Sequence, residues 1–428
     1  MKYASVLLAV SCLLSAVKAQ WLETTIQLPD SAEPFALCYN STNNKIYSAN
    51  QITDDVTVID GATNQVITTV TAGSCPWDVC YNPQNNKVYC ANRNSGTVTV
   101  IDGAADSVIT TVTTGGWPRA LCHNPQDNKV YCANAGSGSV TVIDGAADSV
   151  ITTVITGGWP AALCYNPQNN KVYSANDGST SIDTVTVIDG ATNQVITTVT
   201  VRGRPQALCY NPQNNKVYCA NAGGGMTVID GATDQVITTV GVGYYPFALC
   251  YNPQNNKVYC ANYSSGVVVI DGATNQVITV TAEAGPQAFC YNPRNNKVYC
   301  AVYGTRWVTV IDGATNQVLR TIEVGDGVGE FDLTWNPVQN RVYVANTGSS
   351  SISVLRDWAG GVEEIANGER RRAAGVTTVV RSLPPGAVAF DAVGRRALDP
   401  KPGVYFVGEG SGAGGQGSGR MRKVVIQR

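Results

Sequence analysis

A stretch of fifteen residues, Ala207-Leu-Cys-Tyr-Asn-Pro-Gln-Asn-Asn-Lys-Val-Tyr-Cys-Ala-Asn221, occurs eight times along the chain with small changes. The copies are followed by Thr-Val-Ile-Asp-Gly-like and Gln-Val-Ile-Thr-Thr-Val-like segments. Aligned on the residue before Asn-Pro, they bring Tyr39, Tyr81, His123, Tyr165, Tyr210, Tyr251, Tyr291 and Trp335 into one column, with a step of about 42 residues. A period of that length means stacked copies of one supersecondary unit, as a solenoid or a ring.

The unit reads as four antiparallel strands. In the third copy, Ala120-Leu-Cys-His123 is a short apolar run closed by Asn124-Pro125, since proline cannot donate to a ladder. Gln126-Asp-Asn128 supplies turn residues, because Asn and Asp tolerate left-handed backbone and bond to it locally. Lys129-Val-Tyr-Cys132, Ser139-Val-Thr-Val-Ile143 and Val150-Ile-Thr-Thr-Val154 follow as further strands, rich in the residues that suit a pleated surface. Such a sheet is apolar on both faces and must stack on its own kind. Radial stacking into a β-propeller is the usual solution at this strand count.

The chain ends select the ring. The eighth copy has only three strands, Phe331-Asp-Leu-Thr-Trp335, Arg341-Val-Tyr-Val344 and Ser351-Ile-Ser-Val354. A matching fourth, Trp21-Leu-Glu-Thr-Thr-Ile-Gln-Leu28, lies at the other end. Pairing it with the last copy closes the circle and removes loose strand edges between blades. The expectation is an all-β, eight-bladed propeller closed by the N-terminal strand, with seven blades as the alternative if the last copy is degenerate.

Val342-Tyr-Val-Ala-Asn346, Val130-Tyr-Cys-Ala-Asn134 and their copies, each leading to Val-Thr-Val-Ile-Asp-like segments, resemble the YVTN-repeat β-propellers, a family that includes surface-layer and exported proteins. The resemblance covers roughly residues 21–356 and implies the fold. It carries no catalytic residue over. Its members commonly have seven blades, so the count here departs from the pattern.

Residues 1–19 read as a secretory signal: a Lys2 start, an apolar stretch over 4–17 and Val17-Lys18-Ala19 before the expected cut. The propeller then spans 20–356, a linker 357–375 and a small β domain 376–428. No later run is long and apolar enough to cross a membrane as a helix. With a net charge of −2 and 14% charged residues, the chain has no basic field for a phosphate backbone, so nucleic acid is not an expected partner. Phe390-Asp-Ala-Val-Gly-Arg395, Lys401-Pro-Gly-Val-Tyr-Phe-Val407 and Arg422-Lys-Val-Val-Ile-Gln-Arg428 resemble the C-terminal sorting domain of type IX secretion. That resemblance implies the secretion machinery as a partner of the tail and a cell-surface or secreted location.

Two readings of the cysteines stay open. If Tyr81 faces Tyr89, then Cys80 faces Cys90, and likewise Cys122 faces Cys132, Cys209 faces Cys219, Cys250 faces Cys260 and Cys290 faces Cys300, at a spacing that suits a disulfide in an exported chain. Alternatively these are small buried side chains. Cys38 and Cys164 have Ser48 and Ser174 as their counterparts, and a one-residue slip would put each pair on opposite faces. Metal binding by these pairs is not expected, for want of a CxxC or histidine partner.

His123, the lone histidine, stands where other units have Tyr or Trp and reads as a packing variant. Asp60, Asp102, Asp144, Asp189, Asp230, Asp271 and Asp312 each precede Gly in a turn, one per unit, and read as turn formers. No catalytic set, metal cluster or nucleotide fingerprint stands out, and no cofactor is expected. What varies is the Pro-anchored loop before each first strand. It brings Trp77, Trp117, Arg119, Trp159, Arg204, Tyr245 and Phe247 to the expected channel mouth, with Arg93, Tyr263 and Arg306 from the loops between second and third strands. These residues either form a binding rim for a protein or glycan or pack between blades. The function expected is a non-enzymatic binding or structural scaffold, with a lactonase-like or quinoprotein-like propeller enzyme as the rival.

Overall fold

The computed structural model describes residues 20–178, 183–279, 285–325 and 332–357, together with the backbone of five short strands beyond residue 377. The expected signal segment 1–19, Phe331 and nearly all of the expected linker lie outside the described residues. Eight four-stranded antiparallel sheets follow one another along the chain. Blade 3 is typical: Pro118–Asn124, Lys129–Asn134, Ser139–Asp144 and Val150–Ile155 pair in sequence order. In blade 8, Leu333–Asn336, Arg341–Asn346 and Ser351–Asp357 supply three strands, and Gln20–Gln27 pairs antiparallel with Ser351–Asp357 as the fourth. The count is eight, and the N-terminal strand closes the ring.

The turns set the register. In blade 2, Asn82 is paired with Lys87 across a turn that ends on Asn86 in left-handed backbone (φ 53°). Tyr81 therefore faces Val88, Cys80 faces Tyr89, and Val79 faces Cys90. This is one residue away from the register that would oppose two thiols, so Cys80 and Cys90 lie on opposite faces of the sheet. The same offset separates Cys122 from Cys132, Cys209 from Cys219, Cys250 from Cys260 and Cys290 from Cys300. Of the two readings of the cysteines, the disulfide pairing is not met; all thirteen described cysteines are free. The second-strand thiols instead donate within the blade, Cys90 to Asn92 and Cys132 to Asn134 at 3.5 Å and Cys219 to Asn221 at 3.4 Å. Ser48 and Ser174 make the same bond to Asn50 and Asn176, which accounts for Cys and Ser exchanging there.

Asp144 accepts the backbone N–H groups of Ala146 and Ala147 on Oδ1, both at 2.8 Å, as an Asx turn does. Its counterparts Asp60, Asp102, Asp189, Asp230, Asp271 and Asp312 accept in the same way.

Neighbouring blades are stapled by a repeating polar set. The Asn that ends each first strand donates to the turn Asn of the next blade: Asn40 to Asn86 at 2.9 Å, Asn82 to Asn128 at 2.8 Å, and so on to Asn336 and Asn44 at 3.0 Å, which closes the circle. On the second strand, Lys45 and Tyr47 both reach Asp106 of the following blade at 2.7 Å. Between these staples each blade buries its Tyr, Val and Cys against the Val and Ile of the next, as Tyr131, Val140 and Val142 do with Val172 and Ile188.

The C-terminal unit is a five-stranded sheet. Thr378–Val380 runs parallel to Arg422–Ile426, which pairs antiparallel with Gly403–Glu409; that strand pairs with Ala387–Phe390, and Arg396–Ala397 completes the edge.

Candidate functional site: the central channel and its mouth

The first strand of each blade is innermost. Together these strands surround a cavity of about 360 Å³ whose lining includes Ala36, Asp78, Arg119, Ala161, Ala248, Ala288 and Asp332. That volume falls within the range, about 300–1,000 Å³, of small-ligand sites. The position three residues before the aligned Tyr, His or Trp is alanine in six blades (Ala36, Ala120, Ala162, Ala207, Ala248, Ala288) and aspartate in two, Asp78 in blade 2 and Asp332 in blade 8. The two aspartates flank blade 1. Each carboxylate bridges to the next blade: Asp78 Oδ2 accepts the N–H of Leu121 and Asp332 Oδ2 that of Leu37, both at 2.7 Å. Burial inside the ring outweighs these bonds and lifts Asp78 to about 7 and Asp332 to about 6.

Above the cavity, the loops before the first strands and those between second and third strands meet on one face. Arg93 shows the convergence, its guanidinium carbon lying 4.2 Å from the ring centre of Trp77 and 5.4 Å from that of Trp117. Phe35 packs on Trp77 at 4.3 Å, and Trp117 meets Trp159 edge-on at 5.8 Å. A second arc runs through Tyr245, Phe247, Tyr263 and Tyr303 at centroid spacings of 6.3–6.4 Å. Trp117, Trp159, Tyr245, Phe247, Tyr263 and Tyr303 are 37–52% exposed. Each leaves part of its surface to solvent and covers the rest against neighbours, some of them in the adjoining blade.

The backbone that presents them is held in an unusual conformation. Cys75, Trp117, Arg204 and Tyr245, each just before a first-strand proline, have φ of 55–58°. For side chains of this size such a φ costs of order 1–3 kcal/mol. It persists because each carbonyl is pinned by an N–H from the loop between second and third strands: Arg93 to Cys75, Ala135 to Trp117 and Ala222 to Arg204 at 2.9 Å, Tyr263 to Tyr245 at 3.1 Å.

The remaining expected mouth residues divide. Arg119 and Trp77 line the cavity. Arg204 is committed to the buried Asp177 of blade 4, with contacts of 3.0 and 3.1 Å to one carboxylate oxygen. It therefore ties two blades together while its side chain stays 61% exposed at the mouth. His123 lies opposite Val130 on the first strand of blade 3, and burial lowers its pKa. The first-strand thiols, Cys38 among them, are pushed well above the usual thiol range by burial and are not thiolates.

The sequence pattern of the YNCE-like beta-propeller matches residues 2–337. The chain belongs to that family. Among solved structures, this YNCE-like propeller is similar to the computationally designed Ika8 protein, with 20% identity over 79% of this chain and 99% of that one and a TM-score of 0.65. It is similar to Saccharomyces cerevisiae Sqt1, with 12% identity, 79% and 98% coverage and a TM-score of 0.68. It is also similar to Kuenenia stuttgartiensis hydrazine synthase, with 18% identity, 78% and 98% coverage and a TM-score of 0.56. At these identities the likeness is one of fold. No curated protein sequence matches the YNCE-like chain.

Proposed function

We propose that the protein is an exported, cell-surface or secreted β-propeller that acts as a non-enzymatic binding scaffold, with its ligand at the aromatic mouth of the central channel. One observation carries the reading: two arcs of exposed aromatic side chains, Trp117 and Tyr245 among them on strained backbone, above a cavity of small-ligand size. Strain retained at an exposed rim points to a use for the groups it presents. A protein segment or a glycan suits such a rim, since both offer flat apolar faces and polar edges. The apolar leader at 4–17 supports export, and the repeated Val-Tyr-Cys-Ala-Asn motif supports a YVTN-type propeller of the exported class. The C-terminal segment from Phe390 to Arg428 supports a sorting tail read by secretion machinery.

A glycan array and a pull-down with the mature protein test the mouth. Binding should be lost in the Trp117→Ala/Trp159→Ala double variant, and unchanged binding would remove the rim from consideration. Deleting residues 387–428 should leave a folded propeller that is no longer displayed; normal display would overturn the sorting assignment.

The pair Asp78 and Asp332 favours a second reading, a propeller enzyme of the lactonase-like or quinoprotein-like kind, because a carboxyl lifted toward neutrality can serve as a general acid. Metal analysis and visible absorbance of the purified protein separate the two.

A further inference from the structure

The outermost strand of each blade ends its sheet, and among the described residues nothing pairs with its outer side. In blades 1 to 5 it carries the same five residues, Val-Ile-Thr-Thr-Val, at 66–70, 108–112, 150–154, 195–199 and 236–240. The leading Val and Ile of each are 42–45% exposed, from Val66 and Ile67 to Val236 and Ile237. These edges lack the charged and proline guards against pairing, and their one irregularity is a register shift at the Ile of each segment, where two outer-strand residues oppose one inner residue. None of the five segments contains a lysine, another charge or a proline. Blades 7 and 8 differ: the outer strand Val318–Glu323 carries Arg320 and Glu323, and Gln20–Gln27 carries Glu23, which binds Arg341.

The segment is also close to a palindrome. Laid antiparallel on a second copy with the central Thr opposite itself, Ile falls opposite the second Thr and Val opposite Val. Every cross-strand neighbour is then β-branched, the kind of pair that stabilises a sheet. The axis through the central Thr is the two-fold of an isologous contact, in which the same patch serves both partners.

We propose that the outer strands of blades 1 to 5 join this chain edge to edge with further copies of itself, two four-stranded blades merging into one sheet. The occupant is a second copy because the edge complements its own sequence and offers no charge for a different partner to read. One such contact is short and weak. Five identical ones around a ring make the chain multivalent, so association grows steeply with concentration. The inference is independent of what binds the mouth.

The test uses the full mature chain. Thr68, Thr110, Thr152, Thr197 and Thr238, the strand centres, are all changed to Lys in one variant and all to Glu in another. Circular dichroism and a thermal melt establish that both remain folded. In sedimentation velocity the wild type should shift to larger species as concentration rises, and each variant alone should stay at the monomer value. An equimolar mixture should regain the larger species, because Lys then meets Glu across the two-fold. Thr321→Lys in blade 7 should leave the wild-type behaviour intact. A wild type that stays monomeric up to its solubility limit would overturn the proposal, as would a five-Lys variant that associates like wild type or a mixture that does not recover.

Discussion

Gln20 donates its side-chain amide to Asp357 at 3.1 Å, so the first residue of the ring is bonded to the last strand across an interval of 337 residues. Asp357 also accepts Lys297 Nζ at 2.7 Å and Asn292 Nδ2 at 2.6 Å. The Lys297 and Asp357 side chains are 1% and 0% exposed. Removing one partner strands the other charge, so Asp357→Ala should destabilise by about 3–5 kcal/mol. Asp357→Ala combined with Lys297→Met should recover most of the loss. Urea midpoints of the three proteins check this, and a single variant as stable as wild type would contradict it.

Closure itself is testable by truncation. Removing residues 20–28 deletes the strand that pairs with Ser351–Asp357 and leaves that strand as an open edge. The truncated chain should aggregate on release from denaturant. Light scattering that finds a monomer with an unchanged melting temperature would show that the ring does not depend on this strand.

The channel carboxyls predict a pH dependence with a definite sign. Burial raises Asp78 to about 7 and Asp332 to about 6, so the folded ring holds these protons more tightly than the unfolded chain does. The resulting stability is complete below the ordinary carboxylate range and is lost as pH rises through about 6 and then about 7. The Asp78→Ala/Asp332→Ala variant, which installs the residue of the other six blades, should lose less melting temperature than wild type between about pH 5 and about pH 8. Parallel pH profiles would refute it.

Backbone strain at the mouth can be relieved where the side chain makes no ring contact. Cys75 has a φ of 57°, a conformation that Gly285 occupies without cost at the matching place in blade 7. Cys75→Gly should therefore stabilise the protein by about 0.5–1 kcal/mol, read from the denaturation midpoint. Cys75→Val should lower it.

Free thiols make the last prediction. Alkylation after unfolding, without reductant, should label all thirteen cysteines of the described chain, and the native protein should react slowly because burial raises their pKa values. Cys132→Ser should be nearly neutral, as Ser48 and Ser174 show the hydroxyl keeping the bond to Asn. Cys132→Val should cost about 1 kcal/mol by leaving Asn134 Oδ1 without its donor.

The architecture was readable because the repeat states it eight times and the three-stranded last copy names its own missing piece. The mouth was readable for a similar reason: a proline fixes each loop, so residues that vary beside it, such as Trp117 and Tyr245, stand out. Register was harder. The difference between Cys80 facing Cys90 and Cys80 facing Tyr89 is one residue in the turn closed by Asn82 and Lys87, and strand patterning alone does not count turn residues that closely. Asp78 and Asp332 are far apart in the chain and share no loop, since only the closed ring brings blades 2 and 8 to either side of blade 1. Their signal was present as two charged residues in a column of alanines. The ion pair of Arg204 is not legible in the sequence, because its partner Asp177 belongs to the preceding blade and reads as an ordinary strand end.

A toroid of eight like modules would offer anything on its axis eight indistinguishable rotations. With Asp78 and Asp332 on either side of blade 1, the bore acquires a compass bearing, and whatever occupies it can be seated in a single azimuth.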